Sequence, residues 1–128
     1  MSEENLMKKR ILVVDDAPEI LSVTKHLLES RGFEIFSLED DEKTIKTAEK
    51  FRPHLVILDM LLTYRTGAEI CHDLKSQAET KDIPIIITTG QLNTQVTDGS
   101  KLLPADAYLI KPFELEQLLD MIQKLIVP

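Results

Sequence analysis

Stretches that read as buried strands alternate with stretches of helical periodicity along the whole chain, and this alternation restricts the possible folds more than any other feature. Arg10 to Asp15 carries the continuous aliphatic run Ile11-Leu12-Val13-Val14, a strand covered on both faces. Pro18 suits a first helical turn, and Ile20, Leu21, Thr24, Leu27 and Leu28 follow at helical spacing, with Gly32 as the C-terminal stop. Phe33 to Leu38 reads as a second strand. Asp40 or Asp41 caps a helix bearing Ile45, Ala48 and Phe51, which Pro53 ends. His54 to Asp59 repeats the opening theme, an apolar strand finishing in a carboxylate. A loop through Gly67 leads to a helix with Ile70, Cys71, Leu74 and Ala78. Ile83 to Thr89 is the fourth strand, with Gly90 at its exit. Residues 91–104 are polar, β-branched and interrupted by Gly99, which predicts a short or mobile helix. Ala107 to Lys111 is the fifth strand, and Leu115, Leu118, Leu119, Ile122, Leu125 and Ile126 form the stripe of a last helix, extended by Met121.

Five strand–helix units with strands buried on both faces predict an α/β fold, a parallel sheet between two helical layers. At 128 residues the chain fits one domain, a flavodoxin-like doubly wound sheet of strand order 2-1-3-4-5 with five helices. Residues 1–9 read as a tail and 10–128 as the domain.

Composition removes several classes of function. The net charge of −7, with Lys8-Lys9-Arg10 as the only basic run, gives no surface for direct nucleic-acid binding. Apolar runs reach about five residues against the ~20 of a membrane span, and the N-terminus has no signal-peptide core. The single cysteine, Cys71, cannot form an internal disulfide and fits a reducing cytoplasm. It lies on the core stripe of its helix and reads as a buried apolar residue. His26, His54 and His72 lack metal-ligand spacing.

The topology gives the acidic residues a role. With strands 1 and 3 adjacent, Asp15, Asp16 and Asp59 meet at the carboxyl edge, over the point where the strand order reverses. Read alone, Asp15 and Asp16 would cap the first helix. Three carboxylates so close cannot all stay ionised uncompensated: either their pKa values rise or a cation joins them, and oxygen ligands with room for water suit Mg²⁺. Thr89 ends strand 4 and Lys111 ends strand 5 on the same edge. A carboxylate nucleophile, a cation site, a hydroxyl and an ammonium suit phosphoryl transfer, with Asp59 attacking phosphorus.

From about Arg10 to Ile126 the chain resembles the receiver domain of two-component response regulators, of the chemotaxis-regulator type. "VVDD", "VILDMLL" with Gly67 eight residues after Asp59, "PIIITTG" and "YLIKPF" stand in that family's order and spacing. The resemblance implies that Asp59 is the phospho-acceptor. It implies that Asp16, Asp59 and the main-chain carbonyl of Leu61 bind Mg²⁺, with Asp15 supporting the metal shell through water. It implies that Thr89 is the switch hydroxyl, that Lys111 pairs with the phosphoryl group across a cis bond to Pro112, and that Tyr108 is the aromatic partner of Thr89. The implied donor is a phosphohistidine on a sensor histidine kinase or phosphotransfer protein, and the implied readout is a surface of the fourth helix, fifth strand and last helix. Such a domain promotes its own phosphorylation and dephosphorylation without being an enzyme in the ordinary sense.

Departures from the family pattern are Thr63 in place of a usual proline, Tyr64 and Arg65 beside the site, Gly90 for a common alanine, and Pro104 for a common glycine. Leu61 and Gln91 hold the positions that tune phosphoryl lifetime in the family. An apolar Leu61 cannot orient water, which points to a long-lived phosphoryl state. The chain is either a stand-alone receiver or part of a longer multidomain regulator or hybrid kinase. Two other classes share the fold logic. A Mg²⁺-dependent phosphohydrolase would use the paired carboxylates, but the short chain has no substrate cap. A flavin carrier would need a phosphate-cradling loop where Asp15 and Asp16 stand.

Overall fold

The computed structural model describes residues 9–90 and 105–126. Strand β1 (Arg10–Val14) is followed by helix α1 (Pro18–Glu29), β2 (Glu34–Leu38), a 3-10 turn (Asp41–Lys43), α2 (Thr44–Phe51), β3 (Leu55–Asp59), α3 (Gly67–Lys75), β4 (Ile85–Thr89), β5 (Ala107–Ile110) and α4 (Leu115–Leu125). The five strands are all parallel, in the order β2-β1-β3-β4-β5. Among the described residues there are four α-helices where five were expected; the fourth expected helix and the tail residues 1–8 lie outside them.

Strand alternation splits the core in two. Ile11, Val13, Ile57, Ile86 and Leu109 face α1 and α4, where Leu21, Leu28, Leu118 and Ile122 close over them. Leu12, Val14, Val56, Leu58, Ile85 and Ile87 face α2 and α3, meeting Ala48, Ile70, Cys71 and Leu74. Met121, partly buried, packs against the first of these layers. Burial pushes the Cys71 thiol up to about 12, so it remains protonated and inert.

Several element ends differ from the periodicity reading. Helix α3 stops at Lys75, leaving Ala78 exposed in the following turn. The cause is side-chain competition for the last carbonyls: Ser76 Oγ donates to His72 O at 2.7 Å and Thr80 Oγ1 to Leu74 O at 2.6 Å. Helix α2 ends at Phe51, and Arg52, its C-cap before Pro53, has a left-handed φ of 53° that lets its N–H bond Ala48 O. Gly32, at φ 97°, turns the chain from α1 into β2, a conformation that favours glycine. Neither aspartate caps α2 itself, whose N-cap Lys43 makes no side-chain bond; Asp40 caps the preceding 3-10 turn, accepting from the Glu42 N–H at 3.0 Å. His54 is structural: its Nδ1 accepts the Arg10 N–H at 3.0 Å, and burial lowers its pKa, keeping the acceptor form.

Ile86 is fully buried at the centre of the α1/α4 layer. Ile86→Ala is expected to lower unfolding free energy by about 2–5 kcal/mol, read from the urea midpoint at constant slope.

Candidate functional site

Each acidic residue reaches the carboxyl edge because an adjacent pair of strands ends there in register. Val14 pairs with Leu58, so Asp15 and Asp59, the next residues along, stand side by side. One oxygen from each of Asp15, Asp16 and Asp59 lies within 4.8 Å of the others. Asp59 pairs with Thr88 of β4. Lys111 follows β5, its N–H bonded to Thr89 O at 2.7 Å. From there Lys111 Nζ reaches Asp59 Oδ1 at 3.0 Å and Asp15 Oδ2 at 3.6 Å. The Lys111–Pro112 peptide is cis.

The three carboxylates are held in three ways. Asp15 is buried and turns Oδ1 onto the Ala17 N–H at 2.9 Å, so it also caps the start of α1, whose N-cap Ala17 offers no side-chain acceptor. Asp59 is partly buried and leans on Lys111. Asp16 is exposed, and its Oδ2 accepts the Thr63 hydroxyl at 3.1 Å. Burial raises the pKa of Asp59, with the charges of Asp15 and Asp16 adding to it, while the hydrogen bond and charge of Lys111 oppose the rise. One ammonium therefore does not balance this set. A divalent cation bound by carboxylate oxygens would, and the donor set fits a hard cation such as Mg²⁺.

The two threonines of β4 separate by alternation. Thr88 shares the face of Ile86, and its Oγ1 stands 3.5 Å from Asp59 Oδ1. Thr89 shares the face of Ile87, as does Tyr108, which pairs with Ile87 and packs its ring against the α2/α3 layer. Burial raises the pKa of the Tyr108 hydroxyl. Of this pair the sequence points only to Thr89, at the strand end, and not to Thr88. The signal that finds it is the β3–β4 register, which motif spacing does not contain.

Gly67 opens α3 directly behind the end of β3. Its N–H bonds Met60 O at 2.8 Å, and a Cβ there would stand 2.5 Å from Asp59 O. The connection between β3 and α3 is closed by a bridge between Leu61 and Thr66 and by the Thr66–Glu69 capping box.

The model of the response regulator receiver domain matches residues 11–123. The chain belongs to the response-regulator receiver family. Among relatives of this receiver is the alkaline phosphatase synthesis transcriptional regulatory protein PhoP of Bacillus subtilis, 35% identical over 84% of this chain and 44% of that protein. The receiver spans about half the length of the curated relatives it matches. Among solved structures it is similar to the response regulator TrrA of Thermotoga maritima, in complex with Mg²⁺-BeF, at 34% identity and a TM-score of 0.80, covering 91% of this chain and 98% of TrrA. It is likewise similar to the chemotaxis protein CheY4 of Vibrio cholerae, at 28% identity and a TM-score of 0.84, covering 92% and 98% of the two chains. Receivers of this family are signalling domains that act through phosphorylation, not enzymes with a turned-over substrate. No helix among the described residues is long and apolar enough to cross a membrane.

Two outcomes follow from this geometry. Gly67→Ala meets backbone rather than a movable side chain, so it is expected to cost about 1–3 kcal/mol of stability in urea unfolding. Asp59→Asn removes a carboxylate whose pKa is raised in the fold. An ionised Asp59 destabilises the fold in full above its raised pKa and not at all below the unfolded value, about 4. In chelator, the variant is expected to melt higher than wild type at neutral pH, with the gap closing as pH falls toward about 4.

Proposed function

We infer that this receiver accepts a phosphoryl group on Asp59 from a phosphohistidine of a sensor histidine kinase or phosphotransfer protein. The observation that carries the reading is the Asp59 carboxylate, 3.0 Å from Lys111 Nζ and within 4.8 Å of two further carboxylates. An Asp59 oxygen attacks phosphorus, an oxygen–phosphorus bond forms, and the phosphorus–nitrogen bond of the donor breaks. The leaving imidazole keeps the electron pair and takes up a proton. Lys111 releases the neutralised carboxylate and pairs with the phosphoryl oxygens. Asp16, Asp59 and the main-chain carbonyl of Leu61 would hold Mg²⁺, with Asp15 supporting its shell; when bound, the ion neutralises charge on the transferring group. Thr88 stands on the Lys111 side of β4. Thr89 and Tyr108 share the opposite face, an arrangement that favours their joint role as a switch.

An apolar groove of about 570 Å³ runs beside the site between α1 and α4. Ile20 and Val23 of α1, 47% and 58% exposed, form one wall and Phe113 with Leu118 the other, with Asp15 and Lys111 at its end. Apolar surface next to the nucleophile suits the docking of the protein that delivers the phosphoryl group. The phosphorylated state then shifts a pre-existing equilibrium at β5 and α4, together with the segment 91–104, toward a form that binds a downstream protein. We place the domain at 10–128, in the cytoplasm, either alone or within a longer regulator or hybrid kinase. Leu61, 74% exposed beside the carboxylates, has no group to orient an attacking water, so hydrolysis of the phosphoryl group is slow.

Incubation with acetyl phosphate and Mg²⁺ is expected to give one phosphoryl adduct by intact mass. Asp59→Asn should abolish it, and Lys111→Met should slow its formation about 100-fold. No Mg²⁺-dependent adduct from acetyl phosphate or a phosphohistidine donor would sink this reading.

A further inference from the structure

The connection between β3 and α3 passes the carboxylate cluster with Leu61, Thr63, Tyr64 and Thr66 all exposed. Its middle is nevertheless tied to the interior. Asp41, 2% exposed in the 3-10 turn after β2, accepts from two main-chain groups of this loop. Its Oδ2 takes the Arg65 N–H at 2.8 Å and the Tyr64 N–H at 3.2 Å. Oδ1 is also buried and has no hydrogen-bond partner among the described residues. Burying a carboxylate in this way is costly. Two charge-assisted bonds, and a place where a 3-10 turn runs into α2, offset part of that cost.

The residue before this anchored pair is Thr63, whose hydroxyl donates to Asp16 Oδ2 at 3.1 Å. Asp16 needs such a contact more than its neighbours do. Asp15 is buried and fixed on the Ala17 N–H, and Asp59 is fixed by Lys111. Asp16 is exposed, so packing does little to select its rotamer.

We propose that Asp41 and Thr63 are positioning residues for the cation-binding half of the site: Asp41 fixes the loop backbone, and the loop sets the Thr63 hydroxyl that aims Asp16. The proposal rests on reading Asp16 as a cation ligand. It assigns work to a charge at the opposite end of β2 from the chain's start, on an element that touches no reacting atom.

The test is titration of Mg²⁺ alone into the full chain by calorimetry, beside amide hydrogen exchange without metal. Asp41→Asn and Thr63→Val should each weaken Mg²⁺ binding about tenfold, while Thr63→Ser retains wild-type affinity. The double variant Asp41→Asn with Thr63→Val should bind no more weakly than the poorer single, because both changes act through one hydroxyl. Exchange at the Tyr64 and Arg65 amides should quicken about tenfold in Asp41→Asn and stay unchanged in Thr63→Val. Thr63→Val, at an exposed position, should melt with wild type, which separates misdirection of Asp16 from damage to the fold. Wild-type affinity in Thr63→Val, unchanged exchange in Asp41→Asn, or additive losses in the double variant would each overturn the proposal. Absence of Mg²⁺ affinity in the wild type would instead overturn the cation reading on which it stands.

Discussion

Crowded like charge at the carboxyl edge of the sheet governs the rest of this molecule. Two strands that are neighbours in space but not in sequence both end in aspartate, and the register of β1 against β3 leaves those ends level. Separating them would mean breaking a ladder buried on both faces. The strain is therefore met by what surrounds it: Lys111 from β5, the Ala17 N–H beneath Asp15, and Thr63 against Asp16. Burial still leaves Asp59 harder to ionise than an ordinary carboxylate. A site in that condition favours whatever brings positive charge to it, and that preference is the physical root of its chemistry.

The architecture was legible in the sequence because periodicity reports burial. Ile11 to Val14, Leu55 to Leu58 and Ile85 to Ile87 are continuous apolar runs, as strands covered on both faces must be, and the stripe of α4 shows helical spacing directly. Strand order came from topology rules rather than from any residue. Helix ends were less legible. Ala78 continued the α3 pattern, but Ser76 and Thr80 took the final carbonyls, a contest between side chain and backbone that hydrophobic spacing does not record.

Within the site, residues at strand ends were legible and residues at a distance were not. Asp15, Asp16, Asp59, Thr89 and Lys111 each sit where an apolar run stops, and strand order alone brings them to one edge. Thr88 was missed because its relation to Asp59 depends on which residue of β4 lies opposite, not on how far along the chain it is. Asp41 was read as a possible helix cap, whereas Asp40 caps the 3-10 turn and Asp41 turns inward to the β3–α3 loop. Two adjacent aspartates of equal propensity part company because only one of them faces a loop with main-chain donors to spare.

Asp15 joins two things that are usually separate. One of its oxygens holds the first turn of α1, and the other faces Lys111. The helix whose exposed Ile20 and Val23 wall the groove is thus moored to the same side chain that shares the site's only described lysine. Were Lys111 drawn from these carboxylates to an incoming anion, the mooring would lose a counter-charge at its far end. The footing of α1 and the charge balance of the site are thus set by one side chain.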